Sequence, residues 1–355
     1  MKPVTKTPQT IHDIASLSGV SAATVSRVLN GNTNVREETR QRVLDAMRKV
    51  NYHPNQSARS LSNRRTDCIG LVVPNLQVNI FTDPYFPTII LAISERIQEN
   101  GYALMLGLGH DERVLYNQFV ERQMVDGVLI VSSQDGDWLT SALLDSHIPC
   151  VMVGRPNALE TSYADVDNRL AAQHAVEHLI RLKYEHIATI AGPQTMTAGE
   201  DRLGGYEDAI DLHGLPRRED YIVYGDFTEA RGYRAMVDLL ALDPRPDAVF
   251  CANDVTAIGA IQAIRQAGLS VPEDIAIVGF DDMPLASQVS PALTTIRQPI
   301  AITGQTSVRL LLERIADPEL PTQRILLPTE LIVRQSCGMM LQHGWKEEVK
   351  SQKNK

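Results

Sequence analysis

At 355 residues, 43% hydrophobic and 22% charged, the chain has the make-up of a soluble globular protein with two or three compact units, and a single small module is excluded. No apolar run approaches the roughly 18 residues of a membrane-spanning helix, and the first ten residues lack the apolar core of a secretory signal, so a cytoplasmic protein with no membrane partner is expected. The net charge of −9 is unevenly shared: the first 66 residues hold eleven basic against four acidic side chains, a balance of +7, and the remainder stands at −16. A basic head on an acidic body assigns any contact with a polyanion to the head.

In the head, Ile11, Ile14, Ala15 and Leu17 follow Thr10, a residue suited to cap a first helix. Gly19 provides a left-handed turn, Val20 an apolar plug, and Ser21 a second cap. Beyond it Val25, Val28 and Leu29 form one stripe, while Ser21, Ala22, Ala23, Ser26, Arg27 and Asn30 fall on or near the other face. Two capped helices around a tight glycine turn make a helix-turn-helix pattern, also compatible with an ordinary helical hairpin. In the first case Ala22 and Ala23 meet thymine methyls and Arg27 a guanine edge.

A third helix over residues 36–50 presents Val43, Leu44, Met47 and Val50 to the first two. Pro54 then breaks the pattern. Residues 55–62 have helical potential but too little apolar surface to be stable alone. Leu61, their one large hydrophobe, is either an accident of the surface or a wedge for a minor-groove base step.

From Cys68 onward, strand-like runs such as CIGLVVP, DGVLIVSS, HIATIAGP, AVFCAND and IAIVGFDD alternate with amphipathic helical segments, including one near residues 114–123. This alternation predicts parallel strands with crossover helices in two similar α/β lobes. No Gly-x-Gly-x-x-Gly follows a strand, no phosphate loop is present, and the histidines show no metal spacing, so no cofactor and no metal are expected. Cys68, Cys150, Cys251 and Cys337 are widely separated and are expected to be small buried hydrophobes. Ser132 and Ser133 lack a nucleophile elbow, and no catalytic set is recognisable, so an enzyme is not expected.

Ligands of open α/β sheets bind beyond the carboxyl ends of the strands. There the sequence places Asn253 and Asp254, Asp281 and Asp282, Asp226 and Phe227, and Arg202 in the loop after TIAGP. Carboxylate, amide and guanidinium groups with an aromatic face suit a hydroxyl-rich ligand. Each also has a local alternative: Asp254 as a helix cap, Asp226 and Asp282 as turn residues, Arg202 as a surface partner of Glu200 or Asp201.

The segment IHDIASLSGVSAATVSRVLNGNTNVREETRQRVLDAMRKVNYHPNQSARSL closely resembles the N-terminal signature of the lactose/galactose repressor (LacI/GalR) family, and the similarity continues to about Cys337. The resemblance implies an all-α helix-turn-helix domain over residues 1–54 and a hinge helix and linker over 55–66. It further implies a two-lobed α/β effector-binding and dimerisation domain over 67–340, like the periplasmic sugar-binding proteins. The chain is expected to cross between lobes near Tyr163, Thr295 and Pro321, giving one lobe of about 67–163 and 296–321 and another of about 164–295 and 322–340.

The resemblance also implies that Ser21, Ala22, Ala23, Ser26 and Arg27 face the major groove of a pseudo-palindromic duplex operator, with Thr10, Asn30 and Asn34 on phosphates or neighbouring edges. Asn55, Ala58 and Leu61 are expected contacts of the hinge helix, Leu61 opening a central base step. Tyr85, Phe86, Arg202, Phe227, Asn253, Asp281 and Gln298 are the expected effector contacts. The implied activity is transcriptional regulation, as a repressor controlled by a sugar or sugar derivative. A purine-like corepressor or a protein coregulator is the alternative. The stretch after Cys337, GMMLQHGWKEEVKSQKNK, of which residues 341–355 form a polar tail, carries no leucine heptad, so a homodimer is expected.

Overall fold

The computed structural model describes residues 10–29, 34–52, 65–74, 80, 82–108, 111–157 and 160–339. The expected contacts Asn30, Asn55, Ala58 and Leu61, the hinge segment and the tail lie outside them. Contacts divide the chain into two units, Met1–Thr66 and Asp67–Lys355.

The first unit packs α1 (Ile11–Ser18), α2 (Ala22–Leu29) and α3 (Glu37–Lys49) around Ile14, Val25, Val28, Val43 and Ala46. Thr10 and Asp13 cap α1 reciprocally: the Thr10 hydroxyl accepts from the Asp13 amide at 3.3 Å, and the Asp13 carboxylate accepts from the Thr10 amide at 3.2 Å. Gly19 ends the helix at φ +66°, and the Ser21 hydroxyl accepts from the Thr24 amide to begin α2. Two expected core leucines stand outside: Leu17 is 52% and Leu44 38% exposed, while Ser18 and Ala46 are buried in their stead. Helical geometry is the reason, because the stripe 11, 14, 15, 18 closes on Ser18, whose hydroxyl returns to the Ile14 carbonyl at 2.6 Å.

The second unit holds two six-stranded sheets. The chain builds the first from β1 (Cys68–Val72), α4 (Tyr85–Glu99), β2 (Ala103–Gly107), α5 (Glu112–Tyr116), β3 (Gly127–Val131), α6 (Trp138–Leu144), β4 (Cys150–Val153) and β5 (Ser162–Val166). The expected helix near 114–123 is α5 followed by a π-helical turn, Asn117–Glu121, which inserts Phe119 beside Gly70 and Gly107.

The second lobe comprises α7 (Asn168–Arg181), β6 (Ile187–Ala191), α8 (Thr197–Leu212), β7 (Ile222–Tyr224), α9 (Glu229–Leu240), β8 (Ala248–Cys251), α10 (Asp254–Gln266), β9 (Ala276–Asp281), α11 (Pro284–Gln288) and β10 (Thr294–Arg297). The chain returns to the first lobe as α12 (Ile300–Ala316) and β11 (Arg324–Leu327), then ends its second sheet with β12 (Glu330–Ile332). Strand orders are β11-β5-β4-β3-β1-β2 and β12-β10-β9-β8-β6-β7. All pairings are parallel except β10 with β12. Apolar clusters fill both faces of each sheet, as parallel sheets require.

The three crossings fall later than expected. Tyr163 is still paired within the first sheet, and the chain leaves it only after Val166. Thr295 is paired within the second sheet, so the return begins after Arg297. Pro321 precedes β11, which belongs to the first sheet, and the last crossing lies between Leu327 and Glu330. The polar residues Ser162, Asp165 and Arg324 deprive these strands of the continuous apolar run that marks a buried parallel strand.

Asp282 ties the end of β9 to the second-lobe segments that flank the second and third crossings. Its carboxylate accepts from Arg297 at 2.7 Å and from Arg334 at 2.6 Å, more than the turn role open to it from sequence. The neighbouring Met283 reaches out of the second lobe into the core cluster of the first, beside the elements that hold Phe86 and Ile300.

Candidate functional site

On the small unit, Ser21, Ala23, Arg27, Asn34 and Thr10 are exposed. Ala22 and Ser26 are half-buried, and Ala22 packs against the three-helix core, so it divides its surface between the fold and the outer face of α2. The outer face therefore carries small side chains and one guanidinium.

In the larger unit, the end of β9 and residues following β1, β3, β4, β5, β6, β7, β8 and β10 converge on a cavity of about 240 Å³. Tyr85, Phe86, Arg202, Phe227, Asn253, Asp281 and Gln298 all line it. Arg202 is not in a loop but within α8, and is 6% exposed rather than a surface partner of Glu200 or Asp201. Its Nε donates to Asn168 Oδ1 at 3.0 Å, and its Nη1 donates to the Ala252 carbonyl at 2.6 Å and to Asp281 Oδ1 at 3.4 Å. The guanidinium stacks 3.7 Å from the Phe280 ring centre and 5.8 Å from that of Phe227.

Asn253 is the cap of α10, accepting from the Thr256 amide at 2.9 Å, and its Nδ2 holds the Phe227 carbonyl at 3.1 Å. Asp254, proposed above as a cap, is instead fully buried and accepts from Thr295 Oγ1 at 2.5 Å and the Met283 amide at 2.7 Å. Gln298, on the second crossing, donates to Asp281 Oδ1 at 2.6 Å. Asp226 keeps its turn role, accepting from the Thr228 amide and hydroxyl. Tyr85 and Phe86 stand edge to face with ring centres 5.5 Å apart.

Several lining residues escaped sequence reasoning: Asp83, Asp165, Asn168, Arg155, Asn157 and the segment 132–137. The signal for Asn168 was its place just after β5, hidden because that strand itself carries the polar residues Ser162 and Asp165. Backbone strain marks the same cavity, with Ser132, Phe227 and Asp281 at φ +56°, +66° and +111°.

Burial governs the acids here. It pushes Asp281 up to about 7, against the opposing pull of Arg202, and raises Asp83 and Asp165 above the usual carboxylate range. Asp254 rises well above it through burial and the charge of Asp281. Such groups hold protons in the folded state that the unfolded chain has released. The contribution of Asp281 is therefore complete below about pH 4 and is lost as pH rises through about 7. Asp281→Asn retains an acceptor for Gln298 and Arg202, and a thermal melt series should show the variant losing less stability than the parent over that interval.

Comparison with known proteins agrees with both halves of the chain. Residues 10–55 match the family model described as bacterial regulatory proteins, lacI family, and residues 176–337 match a periplasmic binding protein-like domain. The transcriptional regulator CelR of Thermobifida fusca is 38% identical over 332 residues, covering 92% of this chain and 98% of its own. The repressor PurR of Erwinia tasmaniensis is 37% identical over 336 residues, covering 93% and 97%.

Among solved structures, a CelR–cellobiose complex aligns with a TM-score of 0.73 at 37% identity, covering 93% of this chain and all of that one. The lac repressor dimer bound to operator and the anti-inducer ONPF aligns at 0.81 with 28% identity, covering 93% and 99%. A capped helix-turn-helix, a two-lobed body around a cavity that carries charged and amide side chains among apolar ones, and similarity over nearly the whole length agree. The chain belongs to the lacI family of bacterial regulatory proteins and is a DNA-binding transcriptional regulator.

Proposed function

We propose that this regulator is a cytoplasmic homodimer that binds a pseudo-palindromic operator through α2 and is controlled by an uncharged saccharide held in the interlobe cavity, without catalysing a reaction. The charge balance of the cavity wall carries the choice of ligand. Among the described residues it presents five carboxylates, Asp83, Asp135, Asp137, Asp165 and Asp281, and two guanidiniums, Arg155 and Arg202. Both guanidiniums already face carboxylates, Arg155 on Asp201 and Arg202 on Asp281. A phosphate or carboxylate on the ligand would meet net negative charge, whereas hydroxyls find acceptors and donors and a sugar ring's apolar face finds Tyr85, Phe86 or Phe227. The relative whose structure contains cellobiose supports the same ligand class.

Calorimetry with matched compounds tests this: cellobiose and glucose against glucose 6-phosphate and glucuronate, with hypoxanthine alongside. Neutral sugars are expected to bind and to shift operator affinity reciprocally, since two coupled sites alter each other by one factor. Binding of hypoxanthine with silence of every sugar would overturn the proposal in favour of a purine effector.

For the operator, Arg27 is the one guanidinium on α2. Its replacement by alanine is expected to cost about 1–3 kcal/mol at the cognate site and to relax base preference at one position of each half-site. Fluorescence anisotropy against selected duplexes and single-position variants measures both effects; uniform weakening across all sequences would reassign Arg27 to a phosphate.

A further inference from the structure

The cavity mouth is bridged by a set of direct contacts between the lobes. From the first lobe, two loops reach over: residues 132–137 after β3 and 154–157 after β4. Both meet one short segment of the second lobe, residues 195–201, at the start of α8. The Asp135 amide donates to the Thr195 carbonyl at 2.8 Å, and the Thr195 hydroxyl donates to Gln134 Oε1 at 3.3 Å. Thr197 Oγ1 donates to Asn157 Oδ1 at 3.2 Å, while Asn157 Nδ2 donates to Glu200 Oε2 at 3.2 Å and to Asp135 Oδ2 at 2.8 Å.

The charged member of this set is Arg155 with Asp201. Arg155 Nη2 donates to both carboxylate oxygens of Asp201, at 2.8 and 2.9 Å, and the two side chains are 34% and 15% exposed. An isolated ion pair on an open surface contributes little. This pair is half sheltered and stands among four further hydrogen bonds between the same elements, so the group breaks together when the lobes part.

Its position ties closure to the ligand site at both ends. The Arg155 amide donates to Asp165 Oδ2 at 2.7 Å, and Asp165 lines the cavity at the first crossing. Asp201 directly precedes Arg202 on α8, so one turn of helix presents the latch carboxylate outward and the guanidinium inward. Asp165 in turn accepts from Asn168 Nδ2 at 3.3 Å, and Asn168 accepts from Arg202, so the latch, the first crossing and the inward guanidinium belong to one hydrogen-bonded chain.

We propose that Arg155 and Asp201 form an interlobe latch, positioning residues that set how long the cavity stays closed and hence the residence time of its ligand. The inference rests on the cavity being the effector site, but its decisive test needs no ligand. Spin labels on Asp145→Cys in the first lobe and Leu212→Cys in the second, in a Cys68→Ser background of the full chain, report the interlobe distance. Both labelled positions are exposed.

Arg155→Asp is expected to lengthen and broaden that distance distribution, and the reciprocal pair Arg155→Asp with Asp201→Arg to return it toward the parent. The milder Arg155→Gln, with its fold checked by circular dichroism, should give an intermediate distribution. Identical distributions in all four proteins, or a reciprocal pair no closer to the parent than the single reversal, would overturn the latch. As a second measurement, stopped-flow dissociation of cellobiose should be about tenfold faster in Arg155→Gln with little change in association rate. Failure of cellobiose to bind any of the proteins counts against the saccharide proposal, and the distances still decide the latch.

Discussion

Replacing Arg202 with leucine is expected to lower the stability of the body by about 3–5 kcal/mol and to abolish effector binding, because it strips a buried carboxylate of its cationic partner. Arg202 and Asp281 are 6% and 5% exposed, and the same guanidinium also satisfies Asn168 and the Ala252 carbonyl. Without it, Asp281 is left facing Asp83 and Asp254 with no compensating cation, and burial drives it to hold a proton at neutral pH. Adding Asp281→Asn to Arg202→Leu should recover part of the lost stability and none of the ligand affinity. Urea unfolding and calorimetry with cellobiose separate the two effects. A single Arg202→Leu variant as stable as the parent would show that the pair's attraction merely offsets its desolvation.

Comparable destabilisation is expected where α9 and α10 touch. Gly232 and Gly259 let the two backbones approach: a Cβ added at Gly259 would lie 2.1 Å from the Glu229 carbonyl oxygen, and one added at Gly232 would lie 2.3 Å from that of Thr256. Neither neighbour is a side-chain tip that can swing aside. Gly259→Ala must therefore separate the helices, at a cost of about 1–3 kcal/mol or more. The double variant Gly232→Ala with Gly259→Ala should cost less than the sum, since one separation relieves both clashes. The urea midpoint, followed by circular dichroism, reads this directly, and full additivity would mean that the two contacts yield independently.

How legible the molecule was depended on whether a residue's role followed from local spacing. The capped turns at Thr10, Gly19 and Ser21, the buried face of α2 and the alternation of strands and helices all follow from short-range periodicity, and they appear as expected. Leu17 and Leu44 mislead because an apolar residue one position off a helical stripe looks the same in composition yet faces water. The crossings were misplaced by several residues because β5 and β11 are short and carry polar side chains.

Within the cavity, residues just beyond apolar strands were identified in the second lobe, where β8 and β9 are wholly hydrophobic up to their ends. Asn168, Arg155 and Asn157 were not, because each owes its role to partners far along the chain. Arg155 meets Asp201 forty-six residues away, and Asn168 meets Arg202 thirty-four residues away.

By itself the sequence determined the helix-turn-helix and the two α/β lobes, because caps, stripes and strand runs are encoded over a few neighbouring residues, and its resemblance to a known signature pointed to the regulator family. Only the tertiary structure decided which carboxylates share one cavity, how their burial shifts them, and that Arg155 clasps Asp201 across its mouth. Those properties arise from desolvation and from charges brought within a few ångströms by crossings between lobes, and no local pattern records either.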